Sequence, residues 1–387
     1  MNILHLAPIL THRPNGPSAS VVNLCNSLVE EGHRVGILSS YSFTGPLKTA
    51  SSRVVVLPAP EKPSRNPWAI SDAWFSVVEE KFGRPDVVSV NGIYIPFQVA
   101  FAMQAARKKK WPYIVTPRGS FRILAQKIKP LKKVIGNLLF ANALMRMASA
   151  IHTLAQEEAD DILRYFPRAK VFIAPNGVSE DLFDVSRSIQ PVAPLDAASS
   201  RTFVLCFIGR MYVWVKGLDL LLGALKIIEE RHPQLDVRVL FIGPFNTPAD
   251  EKIMRKMAAG LKHPERVTFL GTMIGDQKWS YLLRSDAFVH TSRFEGMPNA
   301  VLEAMAVGKP CLVTPGTNMG QIVAESQGGW VVDATSRAIA DKLIYMAGHR
   351  EEVVTRGGAA QAYARQHLTW RQAARSYARH IESLLSS

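Results

Sequence analysis

Apolar residues fall along this chain in two rhythms: short unbroken β-branched and aromatic runs, and longer stretches in which they return every third or fourth position. The first rhythm marks strands buried on both faces, and the second marks helices that cover them. Strands are predicted at residues 2–8, 34–39, 53–57, 86–90, 113–116, 150–154 and 171–174, then at 203–208, 238–242, 267–270, 287–290, 311–313 and 330–332, with helical stretches between most of them. Such alternation predicts parallel sheets joined by crossover helices. Residues 186–201, SRSIQPVAPLDAASSR, carry neither rhythm and are rich in Ser, Ala and Pro, so they read as a linker. At 387 residues the chain is long enough for two or three cores. The expected division is 1–185, the linker 186–201, 202–368, and a final helical pattern at 369–387.

Candidate chemistry concentrates at the carboxyl ends of four predicted strands, where open α/β sheets bind ligands. After the strand at 287–290 come His290, Thr291 and Ser292, then Glu295, Gly296, Met297, Pro298 and Asn299, and a helix with Val301, Leu302, Met305 and Ala306 on its buried face. Glu295 and Glu303 stand eight positions apart. On a helix that is about 12 Å of rise on one side, enough to reach both ends of an extended ligand such as a nucleotide-sugar. Carboxylates accept hydrogen bonds from vicinal hydroxyls. The plainer alternative is a first-turn Glu favoured by the helix dipole and a second, solvated Glu. Leu302, Ala304 and Met305 around Glu303 weigh against it.

Upstream, the strand at 203–208 runs into Gly209 and Arg210, then Lys216, Gly217 and an amphipathic helix at 218–230. Two cations at a strand-to-helix loop suit a diphosphate, neutralising charge on a departing phosphate; the alternative is a solvated basic loop. The intervening Met211, Tyr212, Val213, Trp214 and Val215 are apolar, and Trp214 either covers the site or packs. Near the N-terminus, LTHRPNGPS at 10–18 precedes a helix predicted at 19–31, with Ser18 or Ser20 as cap and Gly16 allowing close backbone approach. There is no Gly-x-Gly-x-x-Gly after a strand and no Walker A motif, so nicotinamide or NTP-hydrolysing functions lose support. TPRGS at 116–120 places Arg118 at another strand end.

Glu295, Gly296, Pro298 and Glu303, with Gly209-Arg210 and Lys216-Gly217 ahead of them, resemble the signature of the family 4 glycosyltransferases, and the likeness is sharpest from about 203 to 320. The resemblance implies the GT-B architecture, two doubly wound (Rossmann-like) α/β lobes facing a central cleft, with the final helix crossing back to the first lobe. It implies that Glu295 addresses donor sugar hydroxyls, that Glu303 binds the ribose, that the backbone of Gly209 and of Gly296, Met297, Pro298 and Asn299 lies against the donor, and that Arg210 and Lys216 hold the diphosphate. The family's glycine loop falls on Gly16, where Gly-Gly is replaced by Asn15-Gly16-Pro17. Many members carry His where this chain has Arg118, and Arg argues against general-base work because it stays protonated. Contact with a phosphate or an anionic acceptor fits it better, with a surface ion pair as the alternative. The implied reaction is a retaining, front-face transfer from a UDP- or GDP-linked sugar to a glycan or lipid-linked acceptor, in bacterial cell-surface polysaccharide synthesis. A phosphorylase or epimerase on the same sheets, and a non-enzymatic basic nucleic-acid-binding protein, remain as rivals.

Charge adds a partner. Lys plus Arg outnumber Asp plus Glu by 46 to 32, a net +14, and between Asp86 and Glu157 there are eleven cations and no acid. Apolar residues thread the same stretch from 121 to 140. A basic, apolar segment lies well on an anionic membrane, and Lys127, Lys129, Lys132 and Lys133 are its expected membrane or acceptor contacts. Nucleic acid and an ordinary solvated face are the alternatives, with nucleic acid last because no recognised binding motif accompanies the charge. The most apolar stretch, 135–155, contains Asn137, Asn142, Arg146 and His152 and reads as a buried helix followed by a strand, not as a membrane span. The expected location is cytoplasmic, peripheral on the inner face of the cytoplasmic membrane. Cys25, Cys206 and Cys311 read as core thiols of a reducing compartment. With no Asp-x-Asp triplet and no His-Glu-x-x-His, neither metal nor cofactor is expected, and phosphate charge falls to Arg210, Lys216 and helix N-termini.

Overall fold

The computed structural model describes residues 1–7, 16–39, 50–57, 59, 66, 68–189 and 202–386. They form two compact units, Met1–Gly177 with Trp370–Ser387, and Val178–Thr369.

The first unit runs β1 (Asn2–Leu6), α1 (Gly16–Glu30), β2 (Arg34–Leu38), β3 (Val55–Leu57), α2 (Asp72–Lys81), β4 (Val87–Asn91), α3 (Pro96–Gln104), β5 (Tyr113–Thr116), α4 (Ile123–Gln126), α5 (Pro130–Gly136), α6 (Asn142–Met147), β6 (Ala150–Thr153), α7 (Gln156–Tyr165) and β7 (Val171–Ile173). All strands are parallel, in the order β3-β2-β1-β4-β5-β6-β7. Period-2 alternation builds a core on each face: Leu4, Val88, Val90, Tyr113 and Val115 face one way, and Ile3, Val87 and Ile114 the other.

The second unit holds α8 (Val185–Ser188), β8 (Phe203–Ile208), α9 (Val213–Lys216), α10 (Leu218–Arg231), β9 (Val237–Ile242), α11 (Pro248–Ala259), β10 (Val267–Gly271), α12 (Asp276–Arg284), β11 (Ala287–His290), α13 (Asn299–Ala306), β12 (Cys311–Val313), α14 (Gly320–Glu325), β13 (Gly329–Val331), α15 (Ser336–Gly348) and α16 (Arg350–His367). Its six parallel strands run β10-β9-β8-β11-β12-β13. The last helix, α17 (Trp370–Leu385), returns to the first unit. Trp370, Ala373, Ala374, Tyr377, Ala378 and Ile381, spaced for one helical face, are buried there, and the Tyr377 hydroxyl donates to Ser89 Oγ at 2.8 Å.

Every predicted strand is present, with ends that move by a residue or two; position 8, given to the first strand, lies outside the described residues. The first unit ends at Gly177, not 185, because 178–189 pack with the second unit. Residues 190–201 of the linker are outside the described residues, and 185–188 are helical. Helix α1 starts three residues earlier than predicted, at Gly16, with a proline in its first turn where no N–H is needed. Ser18 and Ser20 are therefore buried inside the helix and cannot cap it; Ser20 Oγ donates to the Gly16 carbonyl at 3.0 Å.

The helical stretch from Pro130 to Met147 departs in part from the buried helix expected from 135 onward. Its two α segments are joined by a wider turn, Asn137–Ala141. One face (Gly136, Ala141, Leu144, Met145) is buried, but Leu131, Val134, Ile135, Leu138 and Leu139 are exposed, Leu131 by 79%. The buried helix expected from 135 onward is therefore only half buried, while the exposed apolar residues at 131–139 lie in the stretch where the sequence threads apolar residues among cations. The three thiols lie in the core, where burial pushes each pKa up, that of Cys206 to about 12.

Candidate active site

In the second sheet the strand order reverses between β8 and β11, so the loops leaving these neighbours diverge and open a crevice at their carboxyl ends. Backbone contacts bring them together. Gly217, with φ at 60°, closes α9 against the Thr291 carbonyl so tightly that a Cβ there would lie 2.0 Å from it. Thr291 Oγ1 donates to the Gly217 carbonyl at 2.9 Å, and Arg293 N to the Val215 carbonyl at 2.9 Å. Arg293 forks onto Asp219, both contacts at 2.7 Å, and its guanidinium lies over the Trp214 ring.

This packing delivers Lys216, at the last residue of α9, to Glu295 of the second loop, 79 positions away. Lys216 Nζ, Ser292 Oγ at 3.0 Å and His290 Nε2 at 3.3 Å all meet Glu295 Oε1. All three contacts fall on Oε1, and Oε2 has no protein partner among the described residues. Burial alone would raise the Glu295 pKa; Lys216 and the His290 hydrogen bond outweigh it and hold the carboxyl at about 2. His290 is buried, stacked 5.3 Å from Phe207, and burial lowers its pKa, so it donates to Glu295 as a neutral imidazole. Asn318, in the left-handed region at φ 57°, donates to the carbonyls of Glu295 at 2.8 Å and Gly296 at 2.7 Å and pins the loop.

The two glutamates are not on one helix. Residues 295–298 are irregular, and α13 begins at Asn299, leaving Glu303 just over one turn inside it; the 12 Å helical spacing does not apply. Glu303 pairs with Lys278 of α12 at 2.9 Å, through Oε2 alone. Met297 and Pro298 are buried, so they shape the loop, while Gly296 and Asn299 are half-buried. Arg210 is exposed and makes no ion pair among the described residues. Gly209 supplies a carbonyl that would sit 2.1 Å from a Cβ on Gly243, locking the ends of β8 and β9 backbone to backbone. Within 211–215, Met211, Val213 and Val215 are core, and Trp214 is 43% exposed at the crevice edge. Sequence reasoning missed His290, Ser292, Lys278 and Asn318 as site residues. Of these, His290 and Ser292 left a signal, the polar run that closes an apolar strand.

The first sheet reverses between β1 and β4. Residues 10–15 of the predicted glycine loop are outside the described residues, and Gly16 is the first residue of α1. A Cβ on Gly16 would meet nothing within 4 Å. Arg118 adopts φ 52°, a conformation that costs a non-glycine residue on the order of 1–3 kcal/mol, followed by Gly119 at φ 77°. Its guanidinium is not in a surface ion pair. Nη2 donates to Asn91 Oδ1 at 2.9 Å, Nε is buried with no partner, and burial lowers its pKa to about 10, still a cation at neutral pH. Glu158, which accepts from the Gly119 and Leu154 amides, is the largest charge that compensates it.

Of the proposed basic contacts, Lys127, Lys129 and Lys132 are exposed. Lys133 is a correction: it turns inward, Nζ donating to the Ala125 carbonyl and lying 5.9 Å from the Tyr94 ring centre, and burial lowers its pKa. Elsewhere in the acid-free stretch Lys108, Lys109 and Arg122 are answered by Asp72, Glu79 and Asp161. Among the described residues no group of three or more His, Cys, Asp or Glu could hold a metal ion, and no helix is long and apolar enough to cross a membrane.

Comparison with known proteins follows the same division. The family described as glycosyl transferase 4-like domain matches residues 15–177, and glycosyl transferases group 1 matches residues 202–349. A putative colanic acid biosynthesis glycosyltransferase (WcaL) of Escherichia coli K12 is 27% identical over 46% of this chain; that match spans only 42% of the relative's own length. The fold is that of GT-B glycosyltransferases. Sucrose-phosphate synthase from Thermosynechococcus elongatus superposes with TM-score 0.74 at 16% identity, covering 99% of both chains. Anabaena HepE, solved with UDP and glucose, gives 0.73 at 19% identity over 99% of this chain and 100% of its own. Matched in both of its units, the chain belongs to the group 1 and 4-like glycosyltransferases.

Proposed function

We propose that this protein is a retaining, metal-independent glycosyltransferase that moves a sugar from a UDP- or GDP-linked donor to a glycan or lipid-linked acceptor for a cell-surface polysaccharide. The observation that carries the reading is the half-buried Lys216–Glu295 pair at the reversal of the second sheet, with three donors on one carboxylate oxygen and no partner for the other among the described residues. The structural neighbour solved with UDP and glucose supports a nucleotide-sugar donor, and the colanic acid relative supports a polysaccharide product.

In this scheme Glu303 accepts from the ribose hydroxyls and Glu295 Oε2 from a sugar hydroxyl. Lys216 and Arg210 stabilise the diphosphate as the bond from the anomeric carbon to phosphate oxygen breaks. The acceptor oxygen bonds to that carbon on the same face, and its proton passes to the departing phosphate, so no side chain has to act as base. Arg118 offers a permanent cation to a phosphate or an anionic acceptor.

The acceptor lies at a membrane in this reading. Leu131, Val134, Ile135, Leu138 and Leu139 follow the i, i+3, i+4, i+7, i+8 pattern of one exposed face, flanked by exposed Lys127, Lys129 and Lys132. Such a face enters the headgroup layer, with each cation adding about 1 kcal/mol near anionic lipid. The protein then works as a peripheral enzyme on the cytoplasmic face.

The test is turnover of a panel of UDP- and GDP-sugars with lipid-linked acceptors in excess EDTA. Transfer with the anomeric configuration kept supports the scheme, and strict dependence on Mg²⁺ or Mn²⁺, an inverted product, or use of inorganic phosphate as acceptor refutes it.

A further inference from the structure

The first sheet carries a second concavity at its amino edge, away from the strand ends where Arg118 and Gly16 lie. The segments entering β6 and β7 enclose a pocket of about 630 Å³, within the roughly 300–1,000 Å³ of small-molecule sites. Its floor is apolar: Met145, Ile151 and Phe166 are buried. Its other feature is charge. Arg146, Arg168 and Lys170 line it, are exposed, and have no carboxylate within ion-pair distance among the described residues. Three like charges about one cavity repel one another, and an anion between them relieves that repulsion. Arginine forks favour phosphate geometry.

We infer that this pocket binds the phosphate-bearing headgroup of an anionic phospholipid. The apolar floor gives no contact to a free phosphate ion but suits the glycerol and first methylenes of a lipid. Arg146 closes α6 beside Met147, which is 55% exposed, and α6 continues the helical stretch that presents Leu138 and Leu139. A headgroup held at Arg146 therefore has exposed apolar side chains alongside it for its chains. The inference rests on the membrane reading of this unit and sharpens it from general surface attraction to one stoichiometric lipid site.

The experiment uses the full chain and soluble short-chain lipids below their micellar concentration, dihexanoyl phosphatidylglycerol and dihexanoyl phosphatidylcholine, with inorganic phosphate as a third probe, each titrated by calorimetry. The expected result is saturable one-to-one binding of phosphatidylglycerol, at least tenfold weaker in Arg168→Gln/Lys170→Gln and abolished in Ser149→Trp, which obstructs the pocket from an exposed position without altering charge. Phosphatidylcholine and inorganic phosphate should bind at least tenfold more weakly. Absence of saturable binding, equal affinity in both variants, or inorganic phosphate binding as well as the lipid overturns the site. Co-sedimentation with anionic vesicles separates the two readings: wild type that sediments but does not bind the short-chain lipid refutes the pocket alone, and wild type that does not sediment refutes the membrane reading beneath it.

Discussion

The two sheets are built alike, parallel with one reversal of strand order, yet they end in opposite electrostatic states. At the carboxyl ends of β8 and β11 a half-buried carboxylate is met by a lysine, a hydroxyl and a neutral imidazole on one oxygen, so charge is balanced within the protein. In the first unit, the loop after β5 sets a half-buried guanidinium against a neutral amide, with a buried Nε that has no partner among the described residues and Glu158 as the largest charge to offset it. Desolvating a charge without a close partner costs several kcal/mol. The second site is therefore balanced as it stands, whereas the first is not, which is the basis for proposing an anion there.

That contrast breaks most visibly at Lys216. Lys216→Ala removes the cation proposed to face the leaving group and takes the lysine from Glu295, so kcat should fall on the order of 10²-fold or more in steady-state assays. Stability should fall as well in denaturant titration, by less than the about 3–5 kcal/mol of a fully buried broken pair, because both side chains are only half-buried.

The next effect is on pH. The Glu295 carboxyl titrates at about 2 when folded against 4.5 as its reference value. A depressed carboxyl pKa contributes stability that is complete above the reference value and is lost as pH falls toward the folded one. At about 1.4 kcal/mol per unit the pair is worth on the order of 3 kcal/mol, lost between about pH 5 and pH 2. Unfolding of Glu295→Gln across that window should show a shallower decline than wild type, and parallel curves would remove the electrostatic account of the pair.

Arg118→Gln should behave differently from either. Removing a poorly compensated charge takes its desolvation cost away with it, so stability should hold or rise while turnover drops, and a loss of several kcal/mol would show that the guanidinium is a structural group. The smallest stability effect is expected on the exposed helical face. Leu138→Ser/Leu139→Ser should unfold within about 0.5 kcal/mol of wild type, as surface changes do, while losing co-sedimentation with anionic vesicles.

The contrast also explains what the chain reveals on its own. Strands such as Phe203–Ile208 and Tyr113–Thr116 are legible because a parallel strand covered on both faces is a compact apolar run between breakers. Glu295, Glu303, Lys216 and Arg118 are legible as candidates because they stand at the ends of those runs. Their partners are not, since Lys278, Ser292 and Asn318 are joined to the glutamates by tertiary packing that no local spacing encodes. The helix expected to be buried from Ile135 is half exposed for a related reason: its composition shows how apolar it is and says nothing about which face the sheet covers. Lys133 is the counterpart among charges, a cation in a basic run whose ammonium turns back to a carbonyl.

The most direct test of the central claim sets Glu303 against Glu295 in one pair of measurements, calorimetric affinity for free UDP and GDP and turnover of the cognate nucleotide-sugar. Glu303→Ala should weaken nucleotide binding itself, and Glu295→Ala should leave nucleotide affinity within about twofold of wild type, a change of less than about 0.5 kcal/mol, while abolishing transfer. Unchanged nucleotide affinity in Glu303→Ala, or full transfer by Glu295→Ala, would contradict it.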